Sequence, residues 1–237
     1  MVFLATELNK LLKPHGFVRR GSAFFRVHGD GILQVVKFNR ERFGEKELCI
    51  GLFSLYSELD PCWFTGRGCI PRYPIVNILG QRWESVYRFA PDYQNSLIKQ
   101  LNVLRDAGIP WLNQIETSLD MSRGVHYMET SWGGSYIWND SFKIAPYLRS
   151  GELENARRVV QAILDQHNMA YKANRELYKD EEEYKNYLRP WLEQDQALYD
   201  LRSMIERGDA VEIEAYLRNN YEKNLQYASF CMKRGAS

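Results

Sequence analysis

The stretch RRGSAFFRVHGDGILQVVKFNR, Arg19 to Arg40, decides the fold. Phe24 to Val27 and Ile32 to Phe38 are short runs of aromatic and β-branched residues. Between them Asp30-Gly31 supplies the positive-φ residues that a tight hairpin turn demands. The basic residues woven into the ribbon, Lys37 and Arg40 among them, raise a nucleic-acid reading. Val35, Val36 and Phe38 are what a packed sheet needs, and the aromatics are too few for a base-stacking platform. With 31 Lys+Arg against 30 Asp+Glu the net charge is +1, so no strong attraction to a phosphate backbone is built in. The ribbon therefore reads as the first hairpin of a folded sheet.

Working outward, Phe3, Leu4, Leu8, Leu11 and Leu12 share one side of a helix over Val2 to Leu12, stopped by Pro14 and Gly16. A third strand is expected at Leu48 to Tyr56. There Leu48, Ile50 and Leu52 fall on one face and Cys49, Phe53 and Leu55 on the other, so both faces must be covered. Ser57 to Arg82 has no clear period and reads as a long Pro- and Gly-rich loop. A short strand at Trp83 to Phe89 and a helix from Pro91 to Ala107, ended by Gly108, are expected next.

Ser122 to Asp140 is again irregular, and beyond it the chain turns helical. Leu153, Ala156, Val160, Ile163, Leu164 and His167 recur at helical spacing, as do Trp191, Leu192, Leu198, Leu201 and Ile205, with a last helix over Asp209 to Leu225. Leu148 to Ala156 (LRSGELENA) and Ile205 to Ile213 (IERGDAVEI) each place a glycine before an acidic residue that opens a helix. Such paired chemistry describes helical hairpins, too few for a repeat array. The fold class expected is α+β: an antiparallel sheet with flanking helices over residues 1–140, then a C-terminal α-helical subdomain over residues 141–237.

The 237 residues, 45% of them hydrophobic, suffice for a real core without metal or disulfide support. Cys49, Cys62, Cys69 and Cys231 form no CxxC pair of the kind that closes a zinc site, and their scatter suits reduced thiols. Glu7, Asn9 and Lys10 interrupt the apolar start, and no later segment is long and apolar enough for a bilayer. A cytoplasmic address, no membrane association and no cofactor are the expectations.

Catalytic constellations are hard to find. The run Lys179 to Tyr184 (KDEEEY) suits a helix start better than a metal site, because adjacent acids on a helix diverge. His126 and Glu129 lack a second histidine one turn away, no serine elbow is present, and His15 and His28 flank turns. His167 lies on an apolar helix face, as a core or boundary histidine does. Trp, Tyr and Arg, the side chains that dominate binding hot spots, instead collect in the two irregular segments. Trp63, Phe64, Arg67, Arg72 and Tyr73 lie in one, and Tyr127, Trp132 and Trp138 with Arg123 and Tyr136 in the other. These aromatics either lid the sheet as a second core or line a partner groove.

The N-terminal residues LLKPHGFVRRGSAFFRVHGDGILQVVKFNRER resemble the start of the bacterial family catalogued as domain of unknown function 4304. Its pattern is a helix, a GF followed by basic residues, a G-x-x-F strand, then an L-Q-V-V-x-F strand leading to a strand like LCIGLFSLY. Gly16, Phe17, Gly21, Phe25, Gln34 and Phe38 match, Asn39 departs from the usual Gln, and the helical half lies outside the resemblance. It implies an α+β domain with no established activity, so no catalytic residue carries over. Among the matching positions Gln34 is the exception, a polar residue mid-strand that either hydrogen-bonds within the fold or lines a pocket.

The leading functional expectation is a non-enzymatic protein, immunity-like or regulatory, that binds a protein partner through Trp63, Phe64, Arg67, Arg72, Tyr73, Tyr127, Trp132 and Trp138. The alternative is a small-ligand protein or enzyme whose pocket lies between the sheet and the long loop, lined by Gln34, Arg67, His126 and Glu129. A scaffold that stacks through its helical half is the third reading.

Overall fold

The computed structural model describes residues 2–40, 46–57, 73–74, 93–121, 141–178 and 180–233. The chain is α+β. Helix α1 (Val2–Leu12) leads into five strands, β1 (Val18–Arg20), β2 (Ala23–His28), β3 (Ile32–Arg40), β4 (Lys46–Ser54) and β5 (Tyr73–Pro74). They form one sheet in chain order, and every neighbouring pair is antiparallel. Helices α2 (Tyr93–Val103), α3 (Ile109–Asn113), α4 (Ser141–Arg149), α5 (Leu153–Arg175), α6 (Glu181–Arg207) and α7 (Ala210–Lys233) follow.

The two-residue period of the strands splits the sheet between two cores. Phe24, Ile32, Val36, Leu48, Ile50 and Leu52 pack on one face with Leu8 and Leu12 of α1 and with Leu104, Ile109 and Leu112. Ala23, Phe25, Leu33, Val35 and Phe53 pack on the other, under Tyr221, Leu225 and Ala228 of α7. Strand β4 is thus covered on both faces, with the division expected from its sequence. Phe24 and Phe25 are 1% and 3% exposed, so these two rings of the ribbon are core and present no surface for bases. A third core joins Ile144 and Leu148 of α4, Val160 and Leu164 of α5, Leu201 and Ile205 of α6, and Leu217 of α7. Helix α7 therefore belongs to two cores at once, and through it the helical half packs on the sheet.

Several details differ from the sequence reading. His28 pairs with Ile32, so the β2–β3 connection is the three residues Gly29, Asp30 and Gly31. Gly31 takes positive φ (69°) as expected, but its partner is Gly29 (54°) and not Asp30, and the Gly31 N–H closes back on the Gly29 carbonyl at 3.0 Å. Asp30 stays in ordinary backbone space because the flanking glycines absorb the reversal. Strand β1, which the pattern did not announce, pairs with Ala23 to Phe25 at the sheet edge. Gly108 does not end the helix that begins at Tyr93. It adopts ordinary helical angles (φ −65°, ψ −47°), and the chain runs through a π-helical turn, Leu104–Gly108, into α3. Buried Leu104, Ile109 and Leu112 hold that run against the sheet, which outweighs the weak helix propensity of one glycine.

The glycine caps in the helical half form as their sequences indicate, but of the two acidic N-caps only Asp209 bonds the helix backbone, while the Glu152 carboxylate turns to Ser150 and Asn155. Gly151 and Gly208 take positive φ, and Asp209 Oδ1 accepts from the backbone N–H groups of Val211 and Glu212. Asp180 caps α6 in the same manner, taking the N–H groups of Glu182 and Glu183 at 2.7 and 3.0 Å. The acidic run thus opens a helix whose dipole it suits. Helices α5 and α6 are longer than the apolar repeat alone indicated, because their meeting ends are joined by tyrosines rather than aliphatic residues. The Tyr184 hydroxyl donates to the Tyr171 carbonyl, Asn174 Nδ2 donates to the Tyr187 hydroxyl, and Tyr178 stacks on Tyr187. The expected strand at Trp83 to Phe89 lies outside the described residues.

Candidate functional site

The antiparallel register sets Arg26 opposite Gln34 on the face that also carries Phe24 and Ile32. Both are buried, Gln34 completely (0% exposed). Arg26 donates through Nε to Gln34 Oε1 (2.8 Å), through Nη1 to the His15 carbonyl (2.9 Å) and through Nη2 to Asn113 Oδ1 (2.7 Å). Its guanidinium also lies 4.6 Å from the centre of the Phe17 ring. These three acceptors are neutral, and burial lowers the Arg26 pKa. Gln34 in turn donates through Nε2 to the carbonyls of Leu112 (2.7 Å) and Ile115 (3.4 Å). The network ties the end of α1, two strands and the end of α3 together. Of the two roles open to Gln34, its hydrogen bonds all serve the interior of the fold.

The β2–β3 turn is a second polar centre. The Asp30 N–H donates to the Glu116 carbonyl (2.6 Å), while its carboxylate accepts from the Tyr56 hydroxyl (2.8 Å) and from Arg149 Nε (3.1 Å). Arg149 also stands 5.0 Å from the Tyr56 ring centre, and Tyr56 stacks on Tyr221 of α7 with centroids 4.9 Å apart. Burial, and then the hydrogen bond to the Asp30 carboxylate, push the Tyr56 phenol up to about 12. Close approach requires glycine here. A β-carbon on Gly29 would overlap the Glu116 backbone, and one on Gly31 would stand 2.9 Å from the Tyr221 ring.

The third centre joins the α5–α6 hairpin. Asp195, 5% exposed, accepts from the Tyr171 hydroxyl (2.7 Å) and pairs with Nδ1 of His167 (2.6 Å). The Trp191 ring stands edge-on to the imidazole at 5.7 Å. His167 is a boundary residue, its side chain 14% exposed. Burial, and then the Asp195 hydrogen bond, raise the Tyr171 pKa. Such a pair fixes an imidazole, but fixing alone is not catalysis without a nucleophile or substrate beside it. His167 stands out in the sequence but its partner does not, because Asp195 shares a helix with many exposed acids. The available signal was its place in the apolar stripe of α6, between Trp191 and Leu198.

Of the residues expected to bind a partner, Trp63, Phe64, Arg67, Arg72, Tyr127, Trp132 and Trp138 lie outside the described residues, as do His126 and Glu129. Tyr73 is placed by its backbone, in β5 opposite Ile50. The chain enters residues 58–72 from Ser57 and residues 122–140 from Met121. Tyr56, just before the first of these points, Glu116, a helical turn before the second, and Arg149 of the helix that follows residue 140 all bond Asp30. Among the described residues no three His, Cys, Asp or Glu side chains are grouped as a metal site, and no helix is long and apolar enough to cross a membrane. No family model matches the chain, and neither the curated proteins nor the solved structures contain a match to it.

Proposed function

We propose that this is a non-enzymatic protein that binds a protein partner through the aromatic and arginine side chains of residues 58–73 and 122–138, in an immunity-like or regulatory role within the cytoplasm. The observation that carries the reading is the composition of the two segments, which hold Trp63, Phe64, Arg67, Arg72, Tyr73, Tyr127, Trp132 and Trp138. Tyr56, just before the first segment, bonds the Asp30 carboxylate and stacks on Tyr221. Two segments rich in Trp, Tyr and Arg have the composition of a hot-spot surface. The rival pocket reading loses support at Gln34, whose amide is spent on Arg26, Leu112 and Ile115. The residual resemblance to the family of unknown function 4304 is compatible with either role.

The test is a pull-down from the native host with wild-type protein beside a Trp63→Ala/Trp132→Ala double variant whose circular dichroism and melting match wild type. One stoichiometric protein retained by wild type and lost by the variant is the expected result. Equal retention by both would remove these tryptophans from the interface, and an empty wild-type lane would overturn the partner reading.

A further inference from the structure

Helix α7 carries Asn220 and Asn224 one turn apart, 7% and 1% exposed. They lie where α7 passes from the residues it gives to the helical core, Ile213 and Leu217, to those it gives to the sheet core, Tyr221, Leu225 and Ala228. Asn224 is held firmly. Its Nδ2 donates to the carbonyls of Leu55 (2.8 Å) and Ser57 (2.6 Å), where the chain leaves β4. Two carbonyl acceptors settle which end of that amide is nitrogen, so Oδ1 must face the other way. Among the described residues that buried oxygen has no hydrogen-bond partner, and neither does the buried Nδ2 of Asn220.

An orphan acceptor and an orphan donor thus lie on one helix face at a four-residue spacing, where β-carbons stand about 5–6 Å apart. They are complementary in sense yet do not bond each other. Leaving both unsatisfied would cost more than a typical hydrogen bond contributes. An occupant must accept from one amide, donate to the other and be small. Both side chains are neutral, so neither favours an ion.

We propose that Asn220 and Asn224 form a built site for one buried water molecule, which accepts from Asn220 Nδ2 and donates to Asn224 Oδ1. Buried waters of this kind occur about once per 27 residues and seek polar atoms left over by the fold. The site would make the seam between the sheet core and the helical core a hydrogen-bonded one. It links α7 through Asn224 to the carbonyls that precede residue 58.

A high-resolution crystal structure of the full chain, with thermal unfolding of Asn220→Leu, tests this. The expected result is a water peak within hydrogen-bond distance of both amides and a melting point lowered by about 2–6 °C in the variant. A dry site with a raised melting point in Asn220→Leu would overturn the proposal. So would the two amides bonding directly, or another protein group filling the position. The wild-type density decides alone if the leucine variant does not fold.

Discussion

Replacing Gly29 by alanine tests the idea that the β2–β3 turn is the joint of the fold. Gly29 has φ 54°, where an L side chain costs about 1–2 kcal/mol. Its new β-carbon would also collide with Glu116, reaching the Cα of that residue at 2.5 Å. The obstructing atoms are backbone, so no side chain can swing aside, and Glu116 is anchored by the buried neighbour Ile115. Relief means separating the turn from Glu116, which breaks the 2.6 Å bond from the Asp30 N–H. That bond is worth about 0.5–1.5 kcal/mol, and more if the donor stays buried. The summed loss is about 3 kcal/mol, or a melting point lower by ~6–12 °C for a chain of this size. Gly21 is the internal control. It has φ 58° with nothing within 4 Å of an added β-carbon, so Gly21→Ala carries only the conformational cost of about 1–2 kcal/mol. Urea unfolding followed by circular dichroism measures both variants. Equal losses in the two would refute the claim that close packing on Glu116, rather than the turn conformation, makes glycine necessary at position 29.

Two further outcomes follow from the polar centres. Gln34→Leu orphans Arg26 Nε and the Leu112 and Ile115 carbonyls, and should lower unfolding free energy by about 3 kcal/mol in urea, while a near-neutral result would mean the network contributes little. Tyr56 ionises near 10 when unfolded but only at about 12 when folded, so its contribution is complete below pH 10 and lost as pH rises towards 12. Tyr56→Phe should therefore be less stable than wild type at neutral pH yet decline less steeply between pH 10 and 12; parallel declines would contradict the assigned burial and Asp30 bond.

The parts of the fold legible in the sequence are those where one physical signal acts locally. Alternation over Ile32 to Val36 and Leu48 to Phe53 gave the strands and their faces, because a two-residue period fixes which side chains share a core. Gly151 and Gly208 marked helix ends because only a residue tolerant of positive φ closes a helix in that way. Gly108 carries the same letter but is held in helical angles by the packing of Ile109 and Leu112, a tertiary effect that propensity does not contain. Strand β1 was hidden because Val18, Arg19 and Arg20 do not alternate, and the edge position lets them stay partly exposed.

The polar centres were illegible for a different reason. Asp30, Tyr56, Glu116, Arg149 and Tyr221 meet at one turn, although no two of them lie within one element and each is an ordinary surface residue type. Asp30 was visible only as a turn former, a role it shares with the glycines beside it. Its larger task depends on those glycines being small, because Glu116 and Tyr221 can approach the turn only where no β-carbon intervenes. A turn signature in sequence therefore reports local backbone freedom, and here that same freedom permits the close approach on which the joint between sheet and helices rests.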